Sequence, residues 1–418
     1  MAEAGAVKTW LLLTAVVALK AAGPESRVTT PSGFEDFARR YRDAAPNKRA
    51  DLAQTFIEER RSLGGFPIVE SDNTVVFLYV GQGTEQNVSL VGDFRTRSFN
   101  SPYWNEAGES LSRIVPDAPV FFRRMKIEPD ARLDYQFAVD GKYALDVLNR
   151  RTLVSGAAPS RGGDGETASE LVMPGYRSSP ATAVRDDVQR GRVSVIDEPW
   201  ATPRVTIYLP PGYDAARKYP VVYTADGRQW RDFMGLPTIL DNLAADRTIE
   251  PVIAVMIDSA KDRNDWYLFN PAYLEYVERV VDYVDRHYST RVGPQFRLHV
   301  GSSAGGRVGL YVGLERPGLF SDVALMSPSL TAPPHYYEPY FSGRKRPDRR
   351  LKVWLSAGTY EGYIHADTQL MERYLRKAGL SVKAVYTHEG HSFGAWRNLA
   401  PAMLAHFFPP KREKPAQR

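Results

Sequence analysis

Two periodicities divide this chain. Between about residues 68 and 154 apolar positions recur every second residue, over 74–80, 87–91, 120–127 and 132–139, with polar, Gly- and Asp-rich breaks between them. Short alternating segments at this spacing predict an all-β sandwich over 67–154. Ahead of it, Phe34, Phe37, Tyr41, Leu52, Phe56 and Ile57 recur at helical spacing among charges until Gly64-Gly65-Phe66-Pro67 interrupts them. That pattern predicts a helical lead-in over 24–66, and packing alone accounts for it.

Past about residue 188 the pattern changes again. Apolar runs at 204–209, 220–225, 252–257, 297–300, 322–326, 352–357 and 382–387 alternate with helical stretches, one of which places Tyr273, Leu274, Val277, Val281 and Val284 on a single face. Strands alternating with helices predict a mostly parallel sheet covered on both sides, over 188–410. Between the two regions, 155–187 opens with a Gly- and Ser-rich run, has the composition of a linker, and passes into a polar lead-in that continues to about 193. Residues 411–418 form a basic tail.

The chemistry starts at the run that ends in Gly301-Ser302-Ser303-Ala304-Gly305. A strand entering Gly-x-Ser-x-Gly and leaving as an apolar helix is the context of a nucleophile elbow, with Ser303 as the nucleophile. The two glycines have a steric reason, because the turn is too tight for side chains two positions either side of the serine. A serine nucleophile needs a base, and the base needs an orienting acid, here in the order Ser…Glu…His. Glu361 follows the strand at 352–357, and His391 follows the strand at 382–387, so all three would lie at the carboxyl edge of one sheet. His388 competes with His391 for the role of base. Asp367 and Asp265 are substitutes for Glu361.

Taken together, Tyr208-Leu209-Pro210-Pro211-Gly212-Tyr213, Tyr219 through Gly227, the elbow, Ala357-Gly358-Thr359-Tyr360-Glu361 and Gly390-His391-Ser392-Phe393-x-x-Trp396 resemble the esterase D-like family. That group holds enterochelin esterases, feruloyl and acetyl xylan esterases and mycolyltransferases. The resemblance runs from about 190 to 410 and implies an α/β hydrolase domain. Gly92-Asp93-Phe94 and Asp146-Val147-Leu148-Asn149 resemble the immunoglobulin-like early-set sandwich found ahead of it in enterochelin esterases. The family's triad falls on Ser303, Glu361 and His391. Its oxyanion hole falls on the backbone N–H of Ala304 and on the turn after Asp226, at Gly227 or Arg228. Main-chain donors suit that task because they are fixed before charge develops, and losing one costs about two to three orders of magnitude in rate.

Asp226, Trp230, Arg263, Trp266 and Trp396 are the candidate substrate-binding residues, with Arg228 as a further cation for a catecholate ring. Arg263-Asn264-Asp265-Trp266 matches the arginine-containing loop of siderophore enzymes only loosely. A feruloyl or acetyl ester of a polysaccharide, acyl transfer to a sugar, and a non-catalytic binding role are the alternatives. Tyr103 and Trp104 are candidates for a sugar-stacking platform on the sandwich, or for packing at a domain contact.

Composition changes this picture little. The net charge is +5 over 418 residues with basic residues scattered, which gives no nucleic-acid footprint. The absence of cysteine excludes disulfides and a thiolate nucleophile. No histidine–carboxylate cluster has ligand spacing, so no metal or cofactor is implied. Lys8 followed by an apolar run over 10–19 reads as a secretory leader over 1–23, too short to span a bilayer once it is set against about 20 residues. Export is the expectation, with a cytoplasmic protein as the alternative.

Overall fold

The structure is a computed structural model that describes residues 33–95, 108–155, 166–330 and 336–410. The leader over 1–23, Tyr103, Trp104, most of the Gly-rich run and the basic tail lie outside the described residues. Two helices, α1 (Phe34–Asp43) and α2 (Pro46–Ser62), come first. Glu35 and Asp36 lie in the first turn of α1 and Arg40 and Arg42 in its last, each sign facing the end of the helix dipole it stabilises. Pro46 opens α2, where its missing N–H leaves nothing unpaired. Phe34, Phe37, Tyr41, Phe56 and Ile57 then share one core with Val76, Leu78 and Val120 of the sandwich.

Among the described residues ten strands follow: β1 (Ile68–Val69), β2 (Thr74–Val80), β3 (Val88–Gly92), β4 (Glu109–Ser110), β5 (Ser112–Arg113), β6 (Val120–Lys126), β7 (Arg132–Val139), β8 (Lys142–Ala144), β9 (Thr152–Ser155) and β10 (Glu166–Val172). They form two antiparallel sheets, ordered β1-β2-β6-β5 and β4-β3-β7-β10-β9, with β8 paired to β7. Val75, Phe77 and Phe121 of the first sheet pack against Leu90, Leu133, Tyr135 and Phe137 of the second. Alternate residues of each strand thus face a shared core, as the period of two required.

β10 corrects the expected linker over 155–187. Its Thr167-Ala168-Ser169-Glu170 is too small and polar to read as a strand, yet β7 and β9 pair with it on both sides and bury Ala168 and Leu171. Pairing from two neighbours overrides weak local preference.

The third sheet holds β11 (Arg192–Val195), β12 (Val205–Leu209), β13 (Val221–Ala225), β14 (Ile253–Ile257), β15 (Arg297–Ser302), β16 (Asp322–Met326), β17 (Lys352–Gly358) and β18 (Ser381–Thr387), in the order β11-β12-β14-β13-β15-β16-β17-β18. The pairings of β11 with β12 and of β12 with β14 are antiparallel, and the rest are parallel. The expected mostly parallel arrangement is therefore confined to this sheet, and antiparallel pairings predominate over the described residues as a whole. β11 lies within the expected polar lead-in; all four of its residues are exposed, because it is an edge strand with one neighbour.

Its helices are α3 (Gly227–Asp232), α4 (Leu236–Ala245), α5 (Arg263–Trp266), α6 (Pro271–His287), α7 (Ala304–Glu315), α8 (Glu338–Phe341), α9 (Tyr363–Lys377) and α10 (Phe393–Phe407). Leu240 and Leu243 of α4 and Met403 and Leu404 of α10 cover Val222, Met256, Val300 and Met326 on one face. Val277 and Val280 of α6 and Val308 and Val312 of α7 cover Val221, Tyr223 and Val255 on the other. Burial on both faces is why these strands read as continuous apolar runs. Among the described residues no helix is long and apolar enough to cross a membrane.

His299, in the middle of β15, is fully buried, with Nε2 2.8 Å from the Tyr273 hydroxyl. Burial lowers its pKa from 6.5 to about 3. The unfolded chain therefore takes up this proton first as the pH falls, and stability is lost between pH 6.5 and about 3. The loss from this one group between pH 7 and 5 should be about 2 kcal/mol. Urea unfolding of wild type and His299→Leu at both pH values checks this: the wild type should lose that much more than the variant on acidification. The comparison is needed because burial raises the pKa of Asp146 and of Asp322 to about 6, and those carboxyls act in the opposite direction over the same range.

Candidate active site

Three adjacent strands end in a non-glycine residue with positive φ: Asp226 after β13 (58°), Ser303 after β15 (58°) and Ser327 after β16 (46°). Such backbone is costly for these residue types, of the order of 1–3 kcal/mol each, and it persists only where the surroundings hold it. At Ser303 the surroundings are tight. Its N–H donates to Met326 O at 2.9 Å, and its carbonyl accepts from the N–H of Arg307 and of Ser329. A Cβ on Gly301 would overlap the backbone of Gly305, which is the close approach the Gly-x-Ser-x-Gly spacing implied. Ser303 immediately precedes α7, so the N–H of Ala304 belongs to the first turn, where a helix has no acceptor of its own.

Glu361 and His391 come from the loops after β17 and β18, and both are buried. Glu361 Oε2 lies 2.7 Å from His391 Nδ1. Oε1 accepts from the Gly358 N–H and from the Ser327 hydroxyl, each at 2.7 Å. Ser327 Oγ in turn accepts from Trp396 Nε1 at 2.8 Å, and the indole of Trp396 stands edge-on to the His391 ring at 4.9 Å. The carboxylate is thus gripped from three sides and presents one oxygen to the imidazole. His388, the rival base, points elsewhere: its Nδ1 sits 2.6 Å from Asp130 Oδ1 on an exposed surface. Asp265 is exposed in α5, and Asp367 Oδ2 is buried without a partner in α9.

The turn after β13 is held by a second network. Arg263 meets Asp226 with two hydrogen bonds, Nε to Oδ1 at 2.6 Å and Nη2 to Oδ2 at 2.7 Å, and the Asp226 N–H donates to the Tyr267 hydroxyl at 2.9 Å. This fork fixes Asp226 in its left-handed conformation and thereby sets the direction of the N–H groups that follow. The N–H of Arg228 serves Asp258, whose carboxyl pKa burial raises against the opposing charge of Arg231 and that hydrogen bond. Gly227, the first residue of α3, has its N–H in the first turn, where a helix has no acceptor of its own.

Several expected substrate contacts are corrected. Trp230 is fully buried against Met234, Leu236 and Met256, so its indole is not presented to a ligand. Trp266 packs edge-on against Tyr273 and Tyr276 at 5.7 and 6.0 Å. Asp226 and Trp396 are buried and act on neighbouring groups. Arg263 and Arg228 keep side chains 31% and 49% exposed, which leaves them the only two of the expected group with charge at the surface. Ser327 and Tyr267 were missed. Ser327 follows a strand end, the same signal that located Glu361 and His391, but a serine before proline reads as an ordinary turn.

The α/β architecture and the family match together define a carboxylic ester hydrolase. The family model described as "Putative esterase" matches residues 200–407, almost the whole region built on the third sheet, and that region is an esterase-family domain. The fold is similar to that of the enterobactin esterase FES from Shigella flexneri, at TM-score 0.66 and 19% identity over 80% of this chain and 92% of that one. It is equally similar to ferric enterobactin esterase from Salmonella typhimurium, at TM-score 0.67 and 18% identity over 81% and 95%. Uncharacterized protein YjcH of Bacillus subtilis (strain 168) is 26% identical over 170 residues, 38% of this chain and 68% of that protein.

Proposed function

We propose that the protein hydrolyses small siderophore-type esters through an acyl enzyme, with Ser303 as nucleophile, His391 as general base and Glu361 as the acid that orients it. The observation that carries this reading is the buried Glu361–His391 pair at the sheet edge where Ser303 is held in strained backbone. In the first step His391 takes the hydroxyl proton as Ser303 Oγ attacks the ester carbonyl, and the negative oxygen forms beside the N–H groups of Ala304 and Gly227. Collapse expels the alcohol, which receives the proton from His391. Water, activated by the same imidazole, then releases the acid and restores the hydroxyl. Glu361 orients the imidazole and stabilises the imidazolium.

The substrate class rests on the two-part architecture, since the enterobactin esterases match the sandwich and the hydrolase domain together. Arg228 and Arg263 would face the anionic catecholate rings of such an ester. We read the front sandwich as an early-set module, on its two antiparallel sheets and its position ahead of the catalytic domain.

A panel of p-nitrophenyl acetate, methyl ferulate, acetylated xylan and a ferric catecholate trilactone tests the proposal. Fastest turnover is expected on the trilactone, with a phosphonate inhibitor adding its mass to the peptide that carries Ser303. Preference for ferulate or xylan would replace the siderophore substrate with a polysaccharide ester, and turnover only with an added sugar acceptor would make the protein a transferase.

A further inference from the structure

We infer that the front sandwich sets the geometry of the active site by holding both loops that present Glu361 and His391, and that Arg132 is the positioning residue at the centre of this contact. The inference rests on the triad reading above.

Arg132 opens β7 and is 2% exposed, with its guanidinium lying between the sandwich and the hydrolase domain. Its backbone N–H donates to His388 O at 3.1 Å, and it pairs with Glu389 as a parallel bridge, so β7 extends its ladder onto the loop that leads to His391. Nη1 donates to Ser392 Oγ at 3.0 Å, on the residue just after His391. The remaining donors are held inside the sandwich, Nη2 by Asp134 at 2.7 Å and Nε by Glu170 at 2.6 Å. The guanidinium is therefore anchored on one side and grips the histidine loop with the other. Ser392 Oγ also accepts from the Ala395 N–H and caps α10, so the same atom fixes the start of the helix that carries Trp396.

The rest of the loop is pinned from the same side. Glu389 is buried and accepts from the Tyr176 hydroxyl at 2.8 Å. Gly390 lies so close to the buried Asp93 that a Cβ there would overlap its carboxylate, and Asp93 is itself tied to the Asp134 N–H at 2.8 Å. Burial alone would push the Arg132 pKa down, but the carboxylates of Asp134, Glu170 and Glu389 outweigh it and raise it. The cation is thus permanent at any working pH.

The acid's loop is held likewise. Tyr360, the residue before Glu361, is 1% exposed and packs into the core of the sandwich, with its hydroxyl on Glu128. Its N–H donates to Glu389 O at 3.2 Å, which joins the two loops to each other. Residues on both sides of the Glu361–His391 pair are therefore anchored in a different domain, and a shift of the sandwich would move acid and base relative to Ser303.

The test compares full-length wild type, Arg132→Met, Arg132→Lys, Tyr176→Phe and Ser303→Ala on the best ester of the panel, with thermal midpoints measured alongside. Misplacing reacting groups by about 1 Å costs on the order of 100-fold, so Arg132→Met should lower kcat about 30- to 100-fold while KM changes less than about two-fold. Arg132→Lys should recover part of that loss, because an ammonium can keep one ion pair but not the fork. Tyr176→Phe, which removes one hydroxyl and keeps the packing, should lower kcat by about three- to ten-fold; it decides the matter if Arg132→Met does not fold. An inactive Ser303→Ala beside wild-type kcat in Arg132→Met and Tyr176→Phe would overturn this inference alone. Full activity in Ser303→Ala would overturn the triad and this inference with it.

Discussion

Ser303→Ala is expected to lower kcat by about 10⁴- to 10⁶-fold on every ester the protein hydrolyses, with little change in thermal midpoint. The size follows from what Oγ does. Without it no acyl enzyme forms, His391 has no proton to accept from a nucleophile, and only the oxyanion donors and substrate binding remain, which still leave catalysis above the rate in water. Stability should hold because alanine bears the same backbone cost at φ 58° as serine. Ser303→Gly separates the two properties. It should be as inactive as the alanine variant and yet more stable by about 1 kcal/mol, since glycine relieves the left-handed strain. Activity and urea midpoints of the two variants check both halves. An inactive but unstabilised glycine variant would mean that the elbow stores no strain, and a surviving activity would remove Ser303 from the mechanism.

The parts of the fold that were legible in the sequence are those whose pattern is local. β13, β14, β15, β16 and β17 are buried on both faces and read as apolar runs, and each ends near the residue that periodicity indicated. Ser303 and the loops of Glu361 and His391 were legible because a sheet of this kind gathers its strand ends at one edge. What escaped depends on contacts between distant segments. Arg132 and Ser392 are 260 positions apart, and nothing near Arg132 marks it as more than the first residue of a strand. β10 is a strand only because β7 and β9 flank it. Arg263 could be placed on the correct loop, but its commitment to Asp226 needs the left-handed turn that brings that carboxylate around. Trp230 shows the opposite failure: an aromatic next to the turn after β13 invites a binding role, whereas the first helix turn carries it into the core.

Glu361→Gln is expected to leave the protein folded and to lower kcat by about 10⁴-fold, the scale seen when a triad acid becomes an amide and the histidine is held in the wrong tautomer. The surroundings of Glu361 argue for the wrong tautomer here. Its two oxygens accept from three groups, the Gly358 N–H and the Ser327 hydroxyl at Oε1 and His391 Nδ1 at Oε2. Glutamine offers one oxygen and one NH₂. The backbone N–H of Gly358 cannot turn away, and the Ser327 hydroxyl is oriented by Trp396 Nε1, which donates to it. The amide oxygen must therefore take the Oε1 position, which leaves the NH₂ facing His391 Nδ1. Two donors cannot share that contact, so Nδ1 gives up its proton, Nε2 acquires one, and the imidazole can no longer accept from Ser303. Carboxylate and amide have nearly the same shape, so packing is preserved and the deficit lies in kcat. Measured across pH 6 to 9, roughly the range in which a serine hydrolase works, the rate should stay low, because a tautomer fixed by hydrogen bonding is not corrected by removing bulk protons. Recovery of wild-type kcat anywhere in that range would show that the tautomer is not what the carboxylate fixes, and an undiminished rate throughout would assign the acid to another residue.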